Sequence, residues 1–535
     1  MSETYDRALA EVGDDNKYQK RFDLIHNSAF IFCWIMAYTN IVLALAITPH
    51  TCKLQENPAN ITEQDWKLIY IPRHPDDNGK EKFDECHIYK NPYENNITEA
   101  CDEFIFDKTW YEQTASSEFG WVCDKELNVA YIFTYSRIGE IIGSFFFGWF
   151  GDVYGRRLTY FISVAMLIIG RIISLLAGDS YFIFVVGCLI ACLPSWSAPQ
   201  TTAIISTEIS STKRRLKLTT TRFKSSSLGL VLLGLIYWWL RDWKIVFIVT
   251  TAPLICFLIL SWNAIESPRW LYTQGRFRDA TNILKYIAKA NNKQLNDKTE
   301  TDLTSSVLNT QHQTFAFFLL FSGKWLALNT FCQMFIWCST STSFSLLLMS
   351  AGEKSDGNPF LDFMLQAIAE LPAIYLAGWL ADKIGRRRTG IITFIVQGTM
   401  WTCTSLRGNS SGGLIRQWWM GSLFSVVARL SSSMAYVIIN LFNIELHPTC
   451  LRQTGMAVGN VISGVSIAIS PYILYLGRRI DGRLPGVILT VLSIGAAAAV
   501  YLLPETLNAK LPETFEEAKV FGRKHKIHES VQLMS

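Results

Sequence analysis

Runs of roughly 18 or more apolar residues recur along the whole chain, each long enough as a helix to cross about 30 Å of hydrocarbon. They lie near 29–47, 128–150, 158–177, 181–205, 223–240 and 244–262, and, after a polar stretch, near 325–349, 360–381, 389–406, 417–442, 456–477 and 486–503. A soluble helical protein can hold one or two such runs but not twelve. The pattern predicts an all-α membrane protein with twelve transmembrane helices in two groups of six. Composition agrees, with 18% charged residues against about 25% in an average soluble domain.

The first 23 residues are polar, so the first apolar run reads as an uncleaved anchor rather than a signal peptide. Arg156 and Arg157 follow the second run, Lys213 to Arg215 the fourth, and Lys383 with Arg386 to Arg388 the eighth. All fall on the face shared by both termini, which the bias of basic residues toward the inside makes cytoplasmic. On the other face, residues 48–127 carry 8 basic and 17 acidic side chains, a net of −9 inside a chain of +4 overall. That balance excludes a strongly basic nucleic-acid binder. The same loop holds Cys52, Cys86, Cys101 and Cys123, enough for two disulfides in any of three pairings. It also holds the glycosylation acceptors Asn60-Ile-Thr62 and Asn96-Ile-Thr98. Asn409-Ser-Ser411 also falls on the outer face, too near the bilayer to be modified. The remaining cysteines, Cys188 and Cys192 among them, suit helix packing better than metal ligation.

Gly151-Asp-Val-Tyr-Gly-Arg-Arg157 follows the second run and Ala381-Asp-Lys-Ile-Gly-Arg-Arg-Arg388 the eighth. One Asp-x-x-Gly-Arg-Arg pattern at the same place in each half is an internal repeat. Glycine permits the tight turn between antiparallel helices, and aspartate and arginine can pair with each other and with helix ends. Topology-setting charge would explain the arginines but not the repeated Asp-x-x-Gly. A gate that forms and breaks as two halves rock explains both.

With these motifs, the long outer loop, Glu266-Ser-Pro-Arg-Trp-Leu271, Glu445-Leu-His-Pro-Thr449 with Arg452, Pro504-Glu-Thr506 and Leu511-Pro-Glu-Thr514, the chain resembles a major facilitator transporter. It is most similar to the organic cation/anion/zwitterion family, solute carrier family 22. The resemblance covers essentially the whole chain, although Glu-Ser-Pro-Arg-Trp-Leu and Pro-Glu-Thr are shared with sugar porters. It implies two pseudo-symmetric six-helix bundles around a central cavity that opens alternately to either side. The domains are then a cytoplasmic N-terminus (1–28), an N-terminal bundle (29–262) with the outer loop (48–127), a cytoplasmic linker (263–322), a C-terminal bundle (323–503) and a cytoplasmic tail (504–535). The linker would carry short amphipathic helices, such as one over 277–290, or be a solvated tether. Asp152, Gly155, Arg156, Arg157, Glu208, Glu266 and Arg269, with Asp382, Gly385, Arg386, Arg387, Glu445, Arg452 and Glu505, form the expected cytoplasmic gate.

Each ionisable residue inside a span costs about 3 kcal/mol and needs a partner or a function. Arg137 and Glu140, three apart on one helical face, can pair locally. Arg171 has no evident partner in its own span, which makes it, with Arg222, a candidate to line the substrate cavity. Arg222 and Lys224 sit near the cytoplasmic start of the fifth, where Lys224 can snorkel to the headgroups. Glu370 lies mid-span in the eighth, and Arg429 mid-span in the tenth. The resemblance makes Glu370 a cavity carboxylate and Arg429 an ion-pair or substrate residue. Among aromatic residues, Trp337 and Phe344 are the best cavity candidates, since ring faces attract organic cations. Two features depart from the organic-ion pattern. Gly464 stands where members carry a charged eleventh-helix residue, and the fourth-helix Arg-x-x-x-Gly reads Cys188-Leu-Ile-Ala-Cys192.

The expected function is a plasma-membrane carrier of small organic ions, leaning toward anionic or zwitterionic solutes without discarding cations. The expected partners are that solute and the lipid bilayer, with no cofactor, no metal and no nucleic acid; the coupling ion and oligomeric state have no sequence signature. Alternatives are a sugar-porter-like carrier, disfavoured by few Asn and Gln residues in spans seven and eight, and a transporter-like receptor that binds without translocating. Nothing in the sequence sets out a Ser/His/Asp group, a metal-spaced His cluster or a phosphate-cradling glycine loop, so an enzyme is not expected.

Overall fold

In the structure, a computed structural model, the described residues are 2–54, 62–75, 81–90, 98–194, 197–210, 214–304, 320–352, 357–407, 418–447 and 452–507. Asn60, Asn96, Asn409 and Leu511-Pro-Glu-Thr514 lie outside them. Helices occupy every expected span. In the first half they are Phe30–Ala44, Leu127–Tyr154, Arg156–Leu175, Tyr181–Cys192 followed by Ser197–Glu208, Arg214–Leu240 and Trp243–Trp262. In the second half they are Lys324–Gly352, Pro359–Ile384, Arg386–Arg407, Trp418–Leu446, Arg452–Arg479 and Leu484–Leu502. Below they are numbered first to twelfth in this order. Ten of the spans are long and apolar enough to cross a membrane by composition. The second and ninth fall short of that measure; the second carries Arg137 and Glu140 inside it, and the ninth opens on three arginines and is rich in threonine.

The chain divides into two compact units. One comprises Met1–Asn40, Tyr135–Leu233 and Phe247–Ala316, the other Ile41–Thr134, Gly234–Val246 and Phe317–Ser535. In the first unit, Phe30, Trp34, Tyr160, Leu167, Ala191 and Leu254 form an apolar core between the spans. In the second, Ile336, Trp337, Phe394, Ile438, Phe442 and Val500 do the same. Other faces of these helices present large apolar side chains outward, Phe145, Phe146, Trp149, Trp239, Ile259 and Tyr375 among them. A soluble monomer rarely exposes so much apolar surface, whereas lipid covers it.

The linker folds as short helices, Pro268–Thr273, Phe277–Ala290 and Asp297–Thr304. A helix over Ser2–Val12, not foreseen in the sequence, packs Tyr5, Ala8, Leu9 and Val12 against Trp270, Leu271, Leu284 and Ile287. Asn291 ties its end by donating to Val12 O and Gly13 O at 3.1 and 3.2 Å. Among the described residues, the loop between the first two spans forms three two-stranded antiparallel ladders, His50–Cys52 with Phe104–Phe106, Arg73–Pro75 with Glu81–Phe83, and His87–Tyr89 with Thr98–Ala100. Of the three possible pairings, the disulfides are Cys52–Cys101 and Cys86–Cys123.

Candidate functional site

Within the first unit, the second span brings Arg137 and Glu140 onto one face, as their spacing predicts. Arg137 Nη1 lies 2.5 Å from Glu140 Oε2. The first span adds Tyr38, whose hydroxyl accepts from Arg137 at 2.7 Å and donates to Glu140 at 2.9 Å. Tyr38 closes a triad of one cation, one carboxylate and one phenol. Arg171 enters from the third span, fully buried. It has no carboxylate partner among the described residues; its Nε and Nη2 donate to Ala37 O at 3.0 Å and Tyr38 O at 2.9 Å. Arg222 goes elsewhere. It donates to Asn27 Oδ1 at 2.8 Å and Pro199 O at 2.6 Å, beside a buried network in which Arg214 bonds Asp23 at 2.9 and 2.7 Å. Lys224 is exposed.

Within the second unit, Glu370 and Arg429 form one pair. Arg429 Nε donates to Glu370 Oε1 at 2.7 Å and Nη1 to Phe344 O at 3.1 Å. Its side chain is 1% exposed, and its guanidinium carbon sits 3.5 Å from the Phe344 ring centroid. Phe344 and Trp337 both make edge contacts with Tyr436, at 5.4 and 5.7 Å, so Tyr436 joins the two aromatic candidates. Tyr436 OH also bonds Ser341, which bonds Ser463 at 2.6 Å. Next to Gly464, the eleventh span therefore offers a hydroxyl rather than a charge.

The repeated motif builds the same brace twice. Gly155 and Gly385 adopt φ of 105° and 99°, a region open to glycine. Each lets the chain reverse directly into the next helix. The exposed N–H groups of that helix then need acceptors. Glu266 accepts from Arg156 N–H and Arg157 N–H at 2.9 and 3.1 Å; Glu505 accepts from Arg386 N–H and Arg387 N–H at the same 2.9 and 3.1 Å. A Cβ at either glycine would collide with that carboxylate. Ser267 donates to Glu208, and Thr506 to Glu445. Arg157 lies over Trp262 and Arg387 over Tyr501, at 5.5 and 4.6 Å. Asp152 and Asp382 contact Arg156 and Arg386 at 2.9 and 3.3 Å, both aspartates largely exposed. Arg269 packs over Tyr5. Arg452 opens the eleventh helix, its side chain outside the described set. Each of these contacts joins residues of one compact unit, so the expected gate residues form two internal braces.

At the opposite end of the helices, in the second unit, Glu126 pairs with Arg478 at 2.9 Å, and Arg479 donates to Cys123 O at 2.6 Å. Thr134 meets Ala468 O and Tyr472 at 3.2 and 3.1 Å. His50 approaches Cys86 and Cys123 closely enough for a metal site, but both thiols are committed to their disulfide.

The family model described as sugar (and other) transporter matches residues 91–518. The organic cation transporter protein of Drosophila melanogaster is 26% identical over 536 residues, covering 97% of this chain and 95% of its own length. The beta-alanine transporter of the same fly is 27% identical, covering 96% and 89%. Human solute carrier family 22 member 2 is 27% identical, covering 99% and 98%. Among solved structures, the inward-open xylose transporter XylE of E. coli superposes with a TM-score of 0.59 at 14% identity, covering 93% of this chain and 99% of XylE. That identity speaks for the fold alone, the two-bundle major facilitator architecture.

Proposed function

The chain belongs to the sugar (and other) transporter family, and from that premise we propose that it carries small organic cations across the plasma membrane by alternating access. Both termini face the cytoplasm in this reading, and the disulfide-bonded loop faces outward and is glycosylated at Asn60 and Asn96. The observation that carries the substrate class is Glu370, a carboxylate only 12% exposed on its side chain and held by a guanidinium beneath an aromatic ring. An organic cation has the same charge as Arg429 and the same attraction to the Phe344 face. It competes with Arg429 for Glu370, and Trp337 and Tyr436 extend the apolar wall it meets. The sequence alone leaned toward anions and zwitterions because arginines outnumber glutamates in the spans. In the structure those arginines are already engaged: Arg137 and Arg429 with a carboxylate each, Arg171 with backbone carbonyls and Arg222 with Asn27 and Pro199. The name of the fly organic cation transporter protein supports the cation reading.

Two residue sets support alternating access. Glu126, Arg478 and Arg479 close the outer ends in the second unit, and the paired motif braces stiffen each half at the other end. The test is uptake of labelled tetraethylammonium, a neutral hexose, p-aminohippurate and carnitine into cells with surface expression verified. Saturable tetraethylammonium uptake supports the proposal. Uptake of only the hexose or the anion, or of no solute at all, sinks it. Carnitine uptake without tetraethylammonium would move the substrate class to zwitterions, the class to which beta-alanine belongs.

A further inference from the structure

A guanidinium buried within a membrane helix is an expensive way to fill space, and leucine would pack there at no electrostatic cost. Arg171 is such a group, 0% exposed on the third span. Its bonds go to two consecutive carbonyls, Ala37 O and Tyr38 O, which sit within the helix Phe30–Ala44. The Phe247 ring lies 5.0 Å beneath it, and Nη1 is buried without a partner. What these bonds fasten is the stretch of backbone that carries Tyr38, the residue whose hydroxyl bridges Arg137 and Glu140.

The internal repeat makes the placement more telling. Arg171 lies fifteen residues after the motif's Arg156, and fifteen residues after Arg386 stands Trp401. Trp401 Nε1 donates to Ser343 at 2.9 Å, directly before Phe344, which packs on the second half's arginine. In both halves this position fastens the helix segment that bears the site's aromatic residue. In the second half a neutral indole is enough. In the first half the fastener is charged, and Ser174, one turn along the same helix, meets Cys188 of the fourth span at 3.6 Å.

We propose that Arg171 is the positioning residue of the first-half site: it fixes the rotation of the first span so that Tyr38 bridges Arg137 and Glu140, a task its guanidinium performs from the third helix, one turn from where Ser174 meets Cys188 of the fourth. The proposal rests on the transport reading above only for its substrate readout. Arg171→Leu should raise the KM for tetraethylammonium about tenfold while Vmax per surface copy falls less than threefold. Arg171→Lys, which can still reach a carbonyl, should recover KM to within about threefold. Tyr38→Phe should reproduce the KM change, and Arg171→Leu with Tyr38→Phe should be no worse than either alone, because both break one device. Arg171→Leu with Cys188→Arg should recover part of the loss by supplying the guanidinium from the opposite helix. Additive effects of the Arg171 and Tyr38 changes, or a parallel fall of Vmax and surface expression with KM unchanged, would overturn the proposal. The same four-variant cycle read as the apparent melting temperature of purified full-length protein needs no substrate, and additivity there overturns it as well. A wild-type chain that carries no cation refutes the substrate class and leaves the melting cycle to decide the role of Arg171.

Discussion

The two halves of the molecule hold their intramembrane carboxylates in different ways. Glu140 and Glu370 occupy the same register of the repeat, each twelve residues before the motif aspartate, Asp152 or Asp382. Glu140 takes its arginine from its own helix, one turn away. Glu370 takes its arginine from the tenth span, 59 residues along the chain. A pair within one helix survives any movement of neighbouring helices. A pair between two helices reports on their separation and can be exchanged for another cation. The second-half site is therefore suited to recognition and release, and the first-half site to keeping a fixed polar surface. The fastener beside each site follows the same division, with a charged Arg171 in the fixed half and a neutral Trp401 in the exchangeable one.

The largest effect that tests this contrast is the loss of one partner. Arg429→Ala takes the guanidinium away from the largely buried Glu370 carboxylate, at about 3–5 kcal/mol, and should nearly abolish surface expression. Adding Glu370→Gln removes the stranded charge and should restore expression. Arg137→Ala should be milder, since the Tyr38 hydroxyl still donates to Glu140. Quantitative surface labelling of the four variants checks this, and equal losses for Arg429→Ala and Arg137→Ala would erase the distinction between the halves.

Next in size is the effect on transport. Glu370→Gln should lower the affinity for tetraethylammonium about a hundredfold or more, with Glu140→Gln lowering it about tenfold, as the loss of the Tyr38 bridge does. Competition uptake with the two variants at matched surface density measures the ratio. A reversed order would move the exchangeable site into the first half.

Much of this architecture is legible in the sequence because it is local or periodic. Arg137 and Glu140 pair at a spacing of three, and the Asp-x-x-Gly-Arg-Arg repeat marks the two turns where glycine must take positive φ. The Glu370–Arg429 pair is not legible, because helix neighbours across 59 residues are set by bundle packing rather than by spacing. Arg171 is opaque for a different reason: its partners are backbone carbonyls, which every residue possesses. The caps were within reach. Glu266 and Glu505 are each followed by a hydroxyl residue, Ser267 and Thr506, and this second internal repeat marks the acceptor that each turn requires. The helix Ser2–Val12 also has a signal, since Tyr5, Ala8, Leu9 and Val12 fall on one helical face, but its partner surface exists only once the linker has folded.

The two braces are alike where the two carboxylate sites differ, and their equivalence makes a sharper comparison. Glu266→Ala and Glu505→Ala each remove the acceptor of two helix-start N–H groups, a loss of about 0.5–2 kcal/mol by analogy with N-caps. Both should lower the apparent melting temperature of the detergent-purified chain by similar amounts. A change confined to one of them would mean that the repeat is conserved in form but not in energetic weight.

The smallest effect on stability, and the one most informative about motion, belongs to the aspartates. Asp152 and Asp382 are 76% and 77% exposed on their side chains, and exposed ion pairs contribute little, about 0–1 kcal/mol. If their role were only to hold Arg156 and Arg386, alanine at either position would leave stability and transport nearly unchanged. If the rocking of the halves uses them, transport should fall several-fold while the melting temperature and surface expression stay within error. Initial-rate uptake beside surface biotinylation separates the two. Matched losses of uptake and surface copies would return the motif to a folding role, and a transport loss for only one aspartate would mean that the brace of that half alone takes part in the movement.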